Sequence, residues 1–250
     1  MPILTTKELT IAFGGIRAVD QVNLEIEEGR LTSVIGPNGA GKTTLFNLLT
    51  GFYKPTHGKI FFERGEITLL PVHKIVKLGL SRSFQILRIF NDMTVFENVR
   101  VAVQAQMNHG MELFSSCDRL SDVRKKAEEI LEEIHLSPKA SLKAKNLSYG
   151  DKRILDIGLS LAGNPRVLLL DEPTSGVGAH ERAGVARFIH DLTKKWTVLL
   201  VEHDMDIVMG ISDRIVVMQQ GRIIADGTPE EIKQNETVRE VYLGGKYCLA

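Results

Sequence analysis

The N-terminal part of the chain alternates apolar and polar residues. The pattern covers residues 4–13 and 22–26, and a similar run occupies residues 59–62. Alternation of this kind is typical of strands that bury one face and expose the other. Gly14 and Gly15 follow the first run and indicate a turn. The pattern therefore predicts a set of N-terminal antiparallel strands.

Predominantly apolar runs replace this alternation further along the chain. They occupy residues 31–35, 167–170, 197–201 and 214–218. Runs of this length fit strands that are buried on both faces. Stretches with helical periodicity separate them, at residues 42–50, 153–162 and 179–194. This order of elements predicts an α/β fold with a partly parallel sheet that helices cover on both sides.

Residues 94–141 differ in character from the rest of the chain. Two stretches there, residues 95–107 and 122–135, have helical periodicity, and no strand pattern interrupts them. We therefore expect a single domain over residues 1–250. In this domain an α-helical subdomain at 86–159 is inserted into an α/β core formed by 1–85 and 160–250.

Composition, charge and the length of the apolar runs limit the classes of protein to which the chain can belong. The 250 residues include 31 Lys or Arg and 31 Asp or Glu, so the formal net charge is +0 and nothing suggests nucleic acid as a partner. Cys117 and Cys248 lie far apart and suggest neither a disulfide framework nor a zinc site. The apolar runs are strand-length, whereas a membrane-spanning helix needs about 20 apolar residues. We therefore expect a chain that does not itself cross a membrane.

A glycine-rich loop after the first buried run matches the phosphate-binding pattern G-x-x-x-x-G-K-T/S. Its residues are Gly36, Pro37, Asn38, Gly39, Ala40, Gly41, Lys42 and Thr43. The glycines let backbone N–H groups approach phosphates, and the following helix adds the positive end of its dipole. Lys42 can reach the β- and γ-phosphates of ATP, and the Thr43 hydroxyl can bind Mg²⁺. The next residue, Thr44, is included in the predicted nucleotide-binding set. A chance glycine turn is the alternative, but the position between an apolar strand and a helix favours a P-loop NTPase core.

Two acidic residues, Asp171 and Glu172, directly follow the buried run at 167–170. Ligands of open α/β sheets gather at the carboxyl ends of strands. Asp171 is therefore predicted to hold Mg²⁺, directly or through water. Glu172 is predicted to act as general base or to orient the attacking water. The alternative is a strand that simply ends in solvated acids, and the phosphate loop argues against it.

With both nucleotide motifs in place, the sequence resembles the ATP-binding subunits of ABC transporters over essentially its whole length. Residues 147–151, Leu-Ser-Tyr-Gly-Asp, lie where that family has its LSGGQ signature, which implies nucleotide contacts for Ser148 and Gly150. The resemblance makes Gln85 the Q-loop residue, with catalytic and Mg²⁺-binding roles. It makes His203 the switch histidine at the γ-phosphate, and it assigns Phe13 to stacking on adenine.

Each of these family residues also has a simpler interpretation. By itself, Gln85 fits a surface amide and His203 fits a strand-end histidine. Phe13 fits apolar packing, and Ser148 fits a helix cap. The order and spacing of Gln85 and His203 relative to the nucleotide motifs favour the family roles.

Three positions depart from the family pattern. Tyr149 replaces a signature glycine, Gly178 replaces the usual D-loop aspartate, and residues 158–160 replace the common Ala-Arg-Ala. We therefore expect a weaker or asymmetric signature site.

Several less specific stretches resemble the ATPases of branched-chain amino acid uptake systems, among them residues 81–85, 90–99 and 225–231. The ATPases of urea or amide importers and of lipopolysaccharide exporters look similar. The resemblance implies a second ATPase subunit, identical or paralogous, and integral membrane permease subunits. It also implies, indirectly, a periplasmic or extracellular solute-binding protein. The chain would then lie peripherally at the cytoplasmic face of the plasma membrane.

Two functions of other classes are alternatives. A soluble ABC ATPase acting in translation or repair usually carries two nucleotide domains or a long coiled coil. This chain has one phosphate-loop motif and no long heptad run. A P-loop GTPase or kinase switch is weaker still, because no Asn-Lys-x-Asp guanine motif is present.

Overall fold

The computed structural model describes residues 2–83, 87–107 and 117–243 of the chain. The strands in these ranges are β1 (Pro2–Phe13), β2 (Ile16–Val22), β3 (Glu25–Glu27), β4 (Leu31–Ile35), β5 (His57–Phe62), β6 (Gly65–Glu66), β7 (Leu80–Arg82), β8 (Val167–Asp171), β9 (Thr197–Val201), β10 (Arg214–Gln219) and β11 (Arg222–Gly227). The helices are α1 (Lys42–Leu49), α2 (Val72–Lys77), α3 (Val95–Gln106), α4 (Cys117–Glu133), α5 (Tyr149–Leu161), α6 (Ala179–Leu192), α7 (Met205–Ile211), α8 (Pro229–Gln234) and α9 (Glu236–Leu243).

The N-terminal sheet is antiparallel, as predicted, and is organised around the long strand β1. The prediction that the second strand occupies residues 22–26 was wrong. The two-glycine turn leads directly into β2, which begins at Ile16 and pairs it with Phe13. Gln21 has a φ of 51° and bends the chain at the end of β2. As a result β3 is a separate short strand, and it pairs with the first residues of β1.

The larger sheet has the strand order β11-β10-β4-β9-β8-β7. Strands β10, β4, β9, β8 and β7 run parallel, and β11 pairs antiparallel with β10. β4, β8 and β9 are buried along their whole length, as their predominantly apolar runs predict. Because parallel strands share a direction, the segments that follow β4, β7, β8 and β9 meet at one edge of the sheet.

The parallel sheet separates two hydrophobic clusters. On one face, Leu169 and Leu199 pack with Phe46 of α1 and with the N-terminal sheet. On the other face, their neighbours Leu170 and Leu200 pack with side chains of α3, α4, α5 and α6. Successive residues of one strand therefore point to opposite faces of the sheet. Both faces are covered by other elements, as predicted.

The helices α3, α4 and α5 lie between β7 and β8 in the chain. Thr94 is the N-cap of α3 and forms a capping box with Glu97, in which each side chain accepts a hydrogen bond from the other residue's backbone N–H. The helices predicted at 95–107 and 122–135 correspond to α3 and α4. The three-residue strand β7 was not predicted, because so short a segment carries no periodicity.

Candidate nucleotide-binding site

The phosphate loop connects β4 to α1 at the carboxyl edge of the parallel sheet. Gly41 is the N-cap of α1, has a φ of 102° and provides no side-chain cap. The first N–H groups of α1 are therefore available to an anion. A Cβ on Gly41 would lie 2.3 Å from the carbonyl oxygen of Ala18 in β2, so glycine is required there for packing as well as for conformation.

The tip of the loop is open to solvent. Most of the predicted phosphate-binding residues are exposed or half-buried: Pro37, Asn38, Gly39, Gly41, Thr43 and Thr44. Gly36 and Ala40 are buried and anchor the loop at either side of this tip. A Cβ on Gly36 would lie 2.2 Å from the carbonyl oxygen of Met218, so β10 fits closely against the start of the loop.

Lys42 lies inside the loop. Its Nζ donates hydrogen bonds to the carbonyl oxygens of Gly36, at 2.7 Å, and Pro37, at 3.1 Å. Burial lowers the pKa of the ammonium group, and the nearby carboxylates of Glu172 and Asp171 act in the opposite direction. The structure therefore brings Lys42 close to both predicted acids.

Asp171 ends β8 and is buried. Arg82, which ends β7, donates from Nη2 to Asp171 Oδ2 at 2.6 Å and from Nη1 to Asn47 Oδ1 at 2.7 Å. The guanidinium also lies over the ring of Phe46, 5.7 Å from its centroid. Arg82 was not predicted from the sequence, because residues 82 and 171 become neighbours only through the pairing of β7 with β8.

Glu172 has a left-handed backbone conformation, with a φ of 47°. A non-glycine residue in this region costs on the order of 1–3 kcal/mol and persists only where the surroundings hold it. Here the Glu172 N–H donates to the carbonyl oxygen of Val201 in β9 at 2.8 Å. The turn that carries Glu172 is therefore fastened to the end of the neighbouring strand.

His203 follows β9, which lies between β4 and β8 in the sheet. Its side chain is 61% exposed, so the imidazole can reach a ligand at this edge. Gln85 lies outside the described residues, and its roles stay predictions. The chain leading to it runs beside β8, because Ser83 N donates to Leu169 O at 2.9 Å.

Phe13 ends β1 and is 47% exposed. The ring of Tyr53 meets it edge-on, with centroids 5.4 Å apart and an interplanar angle of 66°. β1 pairs with β2, whose Ala18 contacts the phosphate loop, so strand pairing connects the strand that carries Phe13 to the loop. Tyr53, whose ring packs edge-on against Phe13, was not predicted from the sequence.

The signature segment begins α5. Ser148 is its N-cap, with Oγ accepting from Asp151 N at 3.2 Å, which confirms the helix-cap interpretation. The N–H of Gly150 points to the carboxylate of Glu181, at 3.4 Å from Oε2. Glu181 was also not predicted from the sequence.

Tyr149 contacts the segment that follows Glu172 in the same chain. A Cβ on Gly176 would lie 3.1 Å from the tyrosine hydroxyl oxygen, so the ring packs tightly against this glycine. The Arg153 guanidinium lies 5.5 Å from the ring centroid, and its Nη2 donates to Ser175 O at 3.2 Å. Tyr149 thus links the signature segment to residues 175–176.

Among the described residues at this edge, the Thr43 hydroxyl and the Asp171 carboxylate are the predicted donors for a cation. Mg²⁺ in nucleotide sites is usually bound by one or two side chains together with phosphate oxygens, so these hard oxygen donors fit it. Within residues 2–83, 87–107 and 117–243, no cluster of three or more His, Cys, Asp or Glu could hold a metal without such phosphates.

Residues 19–175 match the sequence profile of the family described as ABC transporter. The LivG protein of Escherichia coli strain K12, a high-affinity branched-chain amino acid transport ATP-binding protein, is 44% identical over 252 aligned positions. The alignment covers 97% of this chain and 98% of LivG. This chain belongs to the ABC transporter family. It is an ABC ATPase, which binds ATP and hydrolyses it.

Further similarities agree with this assignment. Residues 222–247 match a profile described as branched-chain amino acid ATP-binding cassette transporter. A nucleotide-free ATP-binding cassette from an ABC transporter superimposes with a TM-score of 0.83 at 32% identity, covering 97% of this chain and 99% of that one. A bacterial ABC transporter cassette with a dimeric structure gives a TM-score of 0.73 at 26% identity, covering 90% and 98%. The predicted fold class of this ABC ATPase is thereby confirmed.

The described part of this ABC ATPase holds no helix with the length and apolar character needed to span a bilayer.

Proposed function

We propose that this ABC ATPase hydrolyses ATP to drive the import of branched-chain amino acids through a membrane transporter. The observation that carries the proposal is the meeting of the phosphate loop, Asp171, Glu172 and His203 at one edge of the parallel sheet. Two similarities support the class of solute: the one to LivG over nearly the whole chain, and the match of residues 222–247.

In this proposal the loop amides and Lys42 bind the phosphates of ATP. The ammonium group exchanges its contacts with the Gly36 and Pro37 carbonyls for charge-assisted hydrogen bonds to the β- and γ-phosphates. Phe13 stacks on adenine while Tyr53 holds its ring from the side. The first turn of α1, with Thr43 and Thr44, adds N–H donors.

Hydrolysis then uses the residues that follow β8 and β9. A water oxygen attacks the γ-phosphorus, Glu172 accepts a proton from that water, and the bond to the β-phosphate oxygen breaks to release ADP. His203 donates a hydrogen bond to the γ-phosphate. Thr43, Asp171 and Gln85 would hold Mg²⁺, which when bound supplies positive charge to the phosphate oxygens.

We propose that a second ATPase subunit completes the site, with Ser148 and Gly150 of one subunit facing the ATP of the other. The dimeric cassette structure supports this assembly. The hydroxyl of Ser148 lies at the exposed start of α5. The γ-phosphate would compete with Glu181 for the Gly150 N–H, whose present contact is long at 3.4 Å. The second subunit is either another copy or a paralogue.

Membrane permease subunits are proposed to bind a groove between the core and α5. The groove encloses about 480 Å³ and is lined by Asn47 and Arg82 from the core and by Asp156 and Ser160 from α5, among others. Phe52, another lining residue, is 67% exposed. A cytoplasmic permease segment bound there would contact both sides at once.

Permease binding in this groove would give the helical subdomain a function. Residues 86–159 would act as a helical subdomain that changes orientation against the core of residues 1–85 and 160–250, with Gln85 at the junction. The chain would lie peripherally at the cytoplasmic face of the membrane, bound to the permease. A solute-binding protein on the opposite side would deliver the amino acid to that permease.

The catalytic part of the proposal is tested with Glu172→Gln. The amide cannot accept the proton of the attacking water, so we expect turnover to fall about 100-fold or more, while ATP binding persists. The exposed Glu230 provides a matched control, since Glu230→Gln removes the same charge outside the site. Unchanged turnover of Glu172→Gln, measured as phosphate release, would refute the assigned role.

The transport part needs a separate experiment. The full-length chain is expected to co-purify with integral membrane subunits. Cells that produce Glu172→Gln in place of the native chain should lose uptake of radiolabelled leucine, and cells with Glu230→Gln should retain it. Normal leucine uptake in the Glu172→Gln cells, with phosphate release by the purified variant abolished, would exclude leucine as the imported solute.

A further inference from the structure

Glu202 is a fully buried carboxylate at the end of β9, with a relative exposure of 0%. It lies directly before His203, outside the set of residues to which the mechanism above assigns a role. A charge at such a position is costly unless it is paired and hydrogen-bonded. The partners of Glu202 therefore show what it does.

Each carboxylate oxygen of Glu202 accepts hydrogen bonds from a different segment. Oε1 accepts from Thr174, from the backbone N–H at 2.8 Å and from the hydroxyl at 2.7 Å. Oε2 accepts from the backbone N–H of His203 at 3.1 Å, and the imidazole Nδ1 lies 3.6 Å from it. One side chain thus bridges the turn after β8 and the residue after β9.

Thr174 belongs to the turn that carries Glu172. That turn is fastened to β9 at two adjacent points, by Glu172 N to Val201 O and by Thr174 to Glu202. The left-handed backbone of Glu172 needs such support, because a non-glycine residue keeps this conformation only when its surroundings determine it.

We propose that Glu202 is a positioning residue for ATP hydrolysis, whose carboxylate holds the Glu172 turn and the His203 backbone in one fixed relation. The inference rests on the roles proposed above for Glu172 and His203. Glu202 itself touches neither ATP nor the attacking water in this scheme. It places the two groups that do, and a small displacement of such groups lowers turnover more than it lowers binding.

The variant Glu202→Gln tests this directly. Gln has the same shape, but it has a single acceptor oxygen and an NH₂ group in place of the other oxygen. It can therefore accept from Thr174 or from His203 N–H but not from both. We expect kcat to fall on the order of 10- to 100-fold, while KM for ATP and the Kd for nucleotide change by less than about threefold.

A pair of substitutions at Thr174 provides the matched control and needs no change at Glu202. Thr174→Ser keeps the hydroxyl donor, and we expect wild-type kcat within about twofold. Thr174→Val has a similar volume but loses the hydroxyl donor, and we expect kcat to fall roughly threefold to tenfold, again with little change in KM. This pair decides the question if Glu202→Gln does not fold.

Two results would overturn the inference. One is a folded Glu202→Gln protein with wild-type kcat, or with kcat and nucleotide affinity reduced in parallel. The other is equal kcat for Thr174→Ser and Thr174→Val. Glu172→Gln, measured alongside, separates this inference from the proposed function. If Glu172→Gln is inactive and Glu202→Gln is normal, only the positioning role fails, whereas an active Glu172→Gln refutes the mechanism itself.

Discussion

The ion pair between Arg82 and Asp171 is buried, and its burial determines how much stability the protein should lose when one partner is removed. The Arg82 and Asp171 side chains are 11% and 4% exposed, and Nη2 and Oδ2 lie 2.6 Å apart. Removing one member of a buried pair leaves the other charge without compensation, at a cost of about 3–5 kcal/mol. The nearby Lys42 ammonium still interacts with Asp171, so we expect the lower end of this range.

The perturbation is Arg82→Met, which keeps an unbranched side chain against the Phe46 ring and removes the charge. The free energy of unfolding should fall by about 3 kcal/mol, which lowers Tm by roughly 6–12 °C for a chain of this size. Urea titration followed by circular dichroism measures the change. Arg124→Met is the control: the Arg124 and Glu128 side chains are 72% and 52% exposed, so losing this pair should cost less than about 1 kcal/mol.

A second measurement connects this stability to the site. If Asp171 binds Mg²⁺ as proposed, the cation supplies the positive charge that Arg82→Met lacks. The stability difference between Arg82→Met and the native chain should then shrink in saturating Mg²⁺ and ADP. Equal stability of Arg82→Met and the native chain without nucleotide would refute the reasoning, because a buried charge cannot lose its partner without cost.

Three further predictions concern individual residues. Lys42→Ala removes the ammonium group proposed to bind the phosphates of ATP, so ATP affinity in a calorimetric titration should fall roughly 10- to 100-fold; unchanged affinity would contradict that proposed role. Gly41→Ala forces a Cβ to 2.3 Å from the Ala18 carbonyl oxygen at a φ of 102°, so urea unfolding should show a loss of at least about 2 kcal/mol. The third prediction concerns pH. Burial raises the pKa of the Asp156 carboxyl above the ordinary 3.8, although the hydrogen bond from the Arg88 N–H lowers that pKa. A raised folded pKa favours the protonated form, so this group stabilises the fold below its ordinary pKa and loses that contribution as pH rises through the raised value. Asp156→Asn cannot titrate, and its stability relative to the native chain should therefore increase as pH rises above about 4, whereas a constant difference would contradict the raised pKa.

Several elements of this ABC ATPase could be predicted because their signal is local. The buried strands expected at 31–35 and 197–201 have those bounds in the structure, as β4 and β9. Periodicity and polarity report burial directly, so they locate such strands and the longer helices. Short elements such as β7 and α2 carry too few residues for this, and the bend at Gln21 shifted the expected second strand.

The phosphate loop is the clearest case of what the sequence by itself determined. Its glycines, Lys42 and Thr43 form a contiguous segment, and the chemistry of phosphate binding depends on the backbone dihedrals that this segment prefers. The acids at the end of β8 could be predicted for the same reason, since their place follows from the strand they end.

Only the tertiary structure decided which side chains support these groups. Arg82 meets Asp171, and Glu202 meets Thr174, because the sheet places β7 beside β8 and β8 beside β9. Strand order is set by how whole faces pack against each other, a property that no local stretch of sequence carries. The sequence thus determined the residues proposed to bind the nucleotide, and the packing of the sheet determined the residues that hold them in place.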